Sequence, residues 1–207
     1  VIEHVRRPRG TILCFLPGAP EIRRAHDRLA ALAGGVEILP LHGGLTADEQ
    51  DRAIAPSEQP RVILATNLAE TTLTVPGVRL VIDSGWHKVA RYDAARGVDS
   101  LETERISRDA ADQRSGRAGR TEAGAAIRLW DARDRLRPHR EPEIARIDLA
   151  SVVMDVIAWG GDPRTFEWFD APPPDAIDLA LGLLRSLGAL DSAARLTPLG
   201  RELRRFP

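Results

Sequence analysis

A chain of 207 residues, 43% hydrophobic and 29% charged, holds one large domain or two small ones with ample sequence for a core. The formal net charge of −1 does not exclude nucleic acid, because a local basic stripe can supply the contacts. One cysteine, Cys14, excludes an internal disulfide, and no apolar run approaches the roughly 18 residues of a membrane span.

Val1–Gly10 has no signal-peptide apolar stretch, so the expected location is cytoplasmic, with no membrane partner. The chain opens at Val1 and its only methionine is Met154, which reads as a piece excised from a longer protein. Thr11–Leu16 (TILCFL) is a short apolar run, expected to be a buried strand with Cys14 as a small interior hydrophobe. Pro17-Gly18-Ala19-Pro20 breaks it, and Glu21–Ala33 carries Ile22, Ala25, Leu29 and Leu32 at helical spacing. Val36–Leu41 reads as a second strand, followed by His42-Gly43-Gly44. Thr46 and Glu49 have the spacing of a capping box. Arg61–Thr66 and Val78–Asp83 read as further strands. Strands alternating with helices indicate a parallel sheet covered on both faces. Ligands of such sheets bind beyond the carboxyl ends of the strands, where His42–Gly44 and the segment after Thr66 are expected.

Thr66–Thr74 (TNLAETTLT) holds four threonines and the only asparagine, Asn67. It is either a polar turn with a helix cap or a cluster of hydroxyls and backbone N–H groups for a sugar-phosphate backbone or a nucleotide. Trp86–Tyr92 and Val98–Ile106 flank a polar connection and predict a β-hairpin, whose tip near Arg91 and Arg96 is scaffold or a nucleic-acid contact. Asp109 is expected to cap the following helix, and Gly124–Trp130 to return as a strand. Composition shifts at Asp131–Pro142, placing a domain boundary there. Leu149–Trp159 predicts a helix stopped by Gly160-Gly161; Asp175 is expected to cap another through Leu187. Ala189–Thr197 predicts a small hairpin before a helix from Pro198 to Arg205. Helix, helix and hairpin resemble a winged helix, a fold that binds nucleic acid or packs between domains.

Gln113–Arg120 (QRSGRAGR) is the stretch around which the rest is organised. On a helix, Gln113, Arg117 and Arg120 fall on one stripe, with Gly116 and Gly119 on an adjacent strip without side chains. Fixed-charge donors beside a bare backbone suit a polyphosphate whose charge shifts during reaction.

That octapeptide, Ala65–Val78 (ATNLAETTLTVPGV) and Ile12–Ile22 (ILCFLPGAPEI) together resemble motifs VI, V and IV of superfamily 2 helicases of the DEAH/RHA group, with details similar to the bacterial HrpB-type branch. Leu41–Leu45 (LHGGL) resembles the loop between motifs IV and V, and Ser186–Pro207 the winged-helix module of that family. The resemblance covers nearly the whole chain. It implies an α/β fold: a RecA-like (P-loop NTPase-type) parallel sheet with helices on both faces and a β-hairpin insertion over 1–135, then a small, mostly α winged-helix module over 142–207. It also shows departures. The only lysine, Lys88, is not in a Gly-Lys-Ser/Thr P-loop, and Asp48-Glu49-Gln50-Asp51 is not the family's Asp-Glu-x-His.

The resemblance therefore implies half of an ATP-dependent motor. A first RecA-like domain outside this chain would hold ATP and Mg²⁺, with no cofactor held tightly by this half and no hydrolysis by it alone. Gln113, Arg117 and Arg120 would be the catalytic residues facing that nucleotide, the two arginines as fingers. Thr72 and Thr74 would line the cleft, although many relatives carry serine where Thr72 stands. His42, Gly43, Gly44, Thr66 and Asn67 would grip a single strand of RNA or DNA, with Arg91 and Arg96 on the hairpin nearby. Further partners would be the C-terminal domains of the same chain. The alternative is a non-catalytic nucleic-acid-binding or protein-docking module.

Overall fold

The structure, a computed structural model, describes residues 10–32, 34–71, 73–93, 96–120 and 123–206. Two compact units divide the chain: Val1–Val89 with Thr103–Arg140, and Ala90–Glu102 with Glu141–Pro207.

The strands are β1 (Thr11–Phe15), β2 (Glu37–Leu41), β3 (Arg61–Ala65), β4 (Val78–Asp83), β5 (Trp86–Asp93), β6 (Val98–Arg105) and β7 (Ala125–Arg128). Five of them form a parallel sheet in the order β2-β3-β1-β4-β7, while β5 and β6 form the separate hairpin. Every residue of β1 and β3 is buried, which is why both read as unbroken apolar runs rather than alternating ones. One face of the sheet packs Leu13, Phe15, Leu41 and Ile63 against Ala53 of helix α2 (Ala47–Ile54) and Ala69 of the short helix α3 (Leu68–Thr71). The other packs Ile12, Cys14, Val62 and Leu64 against Ile22 and Leu29 of helix α1 (Ala19–Ala30). Cys14 is the interior hydrophobe its setting predicts; burial pushes its thiol up to about 12.

Thr46 caps α2 as expected: its hydroxyl accepts the Glu49 N–H while the Glu49 carboxylate accepts the Thr46 N–H at 2.8 Å. Helix α4 (Arg108–Ser115) buries Ala110, Ala111 and Arg114. Asp109 is not its cap. Ser107 occupies that position, and Asp109 lies inside the first turn, accepting the Ser107 hydroxyl and the Ala110 N–H. The first two N–H groups of α4 are satisfied instead by the carbonyls of Arg137 and Pro138.

In the second unit, α5 (Ala150–Trp159) ends at Gly160, whose φ of 95° is a left-handed cap suited to glycine. Helix α6 (Pro174–Ser186) starts after Pro173, so Asp175 stands in its first turn rather than at its cap. Leu190 and Leu196 make a single antiparallel bridge where a small hairpin is expected. Thr197 then caps α7 (Pro198–Leu203) by accepting the Gly200 N–H. Val153, Met154, Ile177, Leu181, Leu184 and Leu190 form one core.

Candidate functional site

The parallel register aligns the carboxyl ends of the strands: Leu41 pairs with Ala65, Ala65 with Phe15, and Phe15 with Asp83. The ladder runs one residue further, Thr66 N–H donating to Leu41 and Ser84 N–H to Phe15. His42–Gly44 and Thr66-Asn67 therefore leave the same edge from adjacent strands. Gly43, Gly44 and Asn67 are exposed there, with His42 and Thr66 half-buried. His42 Nδ1 accepts the Gly44 N–H at 3.2 Å, which folds this loop and leaves Nε2 as the donor of the neutral ring.

The octapeptide Gln113–Arg120 does not lie on one helix. Helix α4 stops at Ser115, and the chain continues in turns through Gly116 to Gly119, whose φ is 90°. Gly116 costs a helix roughly 1 kcal/mol relative to alanine, and the positive φ at Gly119 is one that side-chain-bearing residues rarely adopt. Gln113, in the last turn of α4, and Arg120, just after Gly119, are exposed. Arg120 donates to the Thr74 hydroxyl at 3.4 Å, which brings those two expected site residues together. Thr72 lies outside the described residues.

Arg117 is buried, not displayed. Its Nε donates to the carbonyl of Glu70 at 2.9 Å, Nη2 donates to the same oxygen, and Nη1 donates to the carbonyl of Leu73 at 2.9 Å. Glu70 lies in α3, a one-turn helix whose last carbonyls have no helical partner, and Leu73 lies beyond its end. Burial, then the Arg120 charge, holds the Arg117 guanidinium below its ordinary value, with Glu70 opposing.

Arg114 was not singled out by sequence reasoning, yet among the described residues it is the deepest charge in the unit. Its guanidinium bridges Glu70 Oε2 at 3.0 Å and Asp83 Oδ1 at 2.9 Å, all three side chains being at most 1% exposed, and it lies 4.8 Å over the Phe15 ring. The other Glu70 oxygen takes Arg140. His87, buried beside this network, is driven down to about 4 by burial first, then by the charges of Arg114 and Arg140. A signal for Arg114 existed: it stands at i+4 from Ala110 and i+3 from Ala111, on the apolar face of α4.

The two hairpin arginines have local carboxylate partners. Arg91 pairs with Glu141 at 2.9 Å and Glu102 at 3.4 Å; Arg96, exposed, stands 3.6 Å from Asp93. Among the described residues no group of three or more His, Cys, Asp or Glu is placed to hold a metal ion, and no helix is long and apolar enough to cross a membrane.

Residues 1–122 match the helicase conserved C-terminal domain, and 180–207 the winged-helix helicase associated domain (HA2). This chain belongs to the helicase C-terminal domain family. Its relatives place it in the DEAH/RHA group. It is 41% identical to the Escherichia coli ATP-dependent RNA helicase HrpB over 97% of this chain and 26% of the relative. It is 43% identical to the ATP-dependent RNA helicase HrpA of the same organism, over 100% of this chain and 17% of that one. The crystal structure of the Escherichia coli DEAH/RHA helicase HrpB superposes with a TM-score of 0.89 at 40% identity, covering 98% of this chain and 27% of the other. The chain thus spans about a quarter of the length of HrpB and less of HrpA.

Proposed function

We propose that this chain is the C-terminal half of the motor core of an ATP-dependent RNA or DNA helicase, with 1–135 as the second RecA-like domain and 142–207 as the winged-helix module. A first RecA-like domain binds ATP and Mg²⁺; this half completes the site and grips the strand. The observation that carries the reading is the link between two places. The 66–74 segment starts beside His42–Gly44 at the sheet's carboxyl edge and ends on Arg117 and Arg120.

The residues present fit a polyphosphate. Arg120 is exposed with a long contact to Thr74, Gln113 is exposed in the last turn of α4, and Gly116 and Gly119 bring bare backbone between them. Three of the five N–H groups of Arg117 are engaged by the Glu70 and Leu73 carbonyls, so a phosphate and these carbonyls would share one guanidinium. ATP bound by the first domain supplies the phosphoryl group. The role of Gln113, Arg117 and Arg120 is to orient its oxygens and stabilise charge developing on them, an effect worth about 10³–10⁵ in rate for arginine fingers of GTPases. By itself this half has no P-loop lysine and does not hydrolyse ATP.

His42 Nε2, the Gly43 N–H, and the Thr66 and Asn67 side chains would hold successive backbone phosphates without reading bases, with the Gly44 N–H fixing the His42 ring. In the other unit, Arg91 and Arg96 of the hairpin would be separate contacts for nucleic acid. The test is binding of a labelled single-stranded oligonucleotide to this chain. Affinity should fall with salt, with a slope of about −0.7 per phosphate neutralised, should weaken in His42→Ala and Asn67→Ala, and should be indifferent to base sequence. Affinity that ignores salt and both substitutions contradicts the reading.

A further inference from the structure

We propose that Glu70 is a coupling residue: through Arg114 it ties the loop that grips the strand to the turn that faces the nucleotide, so that neither moves without the other. The inference rests on the function proposed above and adds to it a positioning residue that touches neither ligand.

Three acceptor atoms of this one residue each take an arginine. Oε2 takes Arg114, Oε1 takes Arg140, and the main-chain oxygen takes Arg117. On one side, Glu70 is held to the strand-facing residues by a single turn of helix: its N–H donates to the Asn67 carbonyl at 2.9 Å, and the Ala69 N–H donates to Thr66 at 3.2 Å. On the other, Arg114 follows Gln113 directly, and its carbonyl accepts the Arg117 N–H at 3.1 Å. A displacement of Thr66-Asn67 therefore carries Glu70, and with it both ends of the Gln113–Arg117 turn.

Stability gives no sufficient reason for charge at this depth. Replacing a buried ion pair by apolar residues of the same volume is often neutral or stabilising, whereas fixing one register between two segments is a use to which such pairs are put. Asp83 provides an internal comparison. It is as buried as Glu70 and holds the same guanidinium, but it ends β4 and belongs to neither segment.

The test is the ratio of ATP hydrolysis with saturating single strand to hydrolysis without it, measured in the native polypeptide extended upstream. Coupling between sites is typically worth about 5–150-fold. Glu70→Gln is expected to reduce the ratio at least about tenfold, and Asp83→Asn to leave it within about twofold of the parent. A merely structural pair predicts equal losses from both variants. Equal losses, or an unchanged ratio in Glu70→Gln, overturn the proposal while strand-stimulated hydrolysis by the parent leaves the functional reading standing. A parent with no stimulation at all removes both.

Hydrogen exchange on the unaltered protein gives a second measurement, free of any folding defect. Strand added without nucleotide is expected to slow exchange at 113–120 as well as at 66–71. Slowing confined to 66–71 overturns the proposal.

Discussion

Arg117 donates through both Nε and Nη2 to the main-chain carbonyl of Glu70, a residue 47 positions earlier in the chain. An arginine that reads as a displayed phosphate ligand is thereby the side chain that satisfies the open end of a one-turn helix.

Arg117 and Arg120 are therefore expected to differ in stability effects although they share a motif. Arg117→Ala leaves the buried carbonyl of Glu70 and the half-buried carbonyl of Leu73 without the Arg117 donors and should cost about 1–3 kcal/mol. Arg120→Ala removes an exposed side chain and should change stability by no more than about 0.5 kcal/mol. Urea denaturation of the two variants beside the parent measures both. Equal losses would mean that the carbonyl contacts of Arg117 contribute nothing to the fold.

His87 makes stability depend on pH in one direction. Its folded value lies near 4, below the ordinary 6.5, because burial and the Arg114 and Arg140 charges disfavour the cation. The unfolded chain therefore binds a proton that the folded chain refuses as pH falls from about 6.5 to about 4. The contribution of this group is complete above pH 6.5 and is lost progressively through that window. Denaturation midpoints at several pH values should show a slope that His87→Gln reduces. An identical slope in the variant would place the titration elsewhere.

Two glycines of the second unit should respond oppositely to alanine. Gly200 is buried against the Ala189 backbone, and a Cβ there would press on the Ala189 carbonyl and the Leu196 side chain. Gly200→Ala should cost at least about 1–3 kcal/mol through overpacking. Gly182 lies within α6, exposed, with nothing within 4 Å of an added Cβ. Gly182→Ala should stabilise by about 0.4–1 kcal/mol. Thermal melts separate the two, and a destabilising Gly182→Ala would contradict the packing described.

The sheet was legible because its central strands β1 and β3 are buried on both faces. TILCF and the VILA of RVILA are apolar runs for that reason, and the Thr46–Glu49 capping box and the Gly160 stop follow from local chemistry alone. The depth of each arginine in Gln113–Arg120 was not legible. Arg114 is buried and Arg120 exposed because of Glu70 and Asp83, which lie 44 and 31 residues from Arg114 along the chain. No spacing within eight residues encodes partners so distant. The end of α4 was marked by Gly116, but a stripe drawn through the octapeptide overlooked it.

ATP hydrolysis by the native polypeptide extended upstream, with and without single-stranded RNA or DNA, tests the half-motor account most directly when Arg117→Ala and Arg120→Ala are measured beside the parent. The account predicts strand-stimulated hydrolysis that falls at least about tenfold in either variant, since an arginine finger contributes about 10³–10⁵. Hydrolysis that proceeds at the parental rate without either arginine would contradict it.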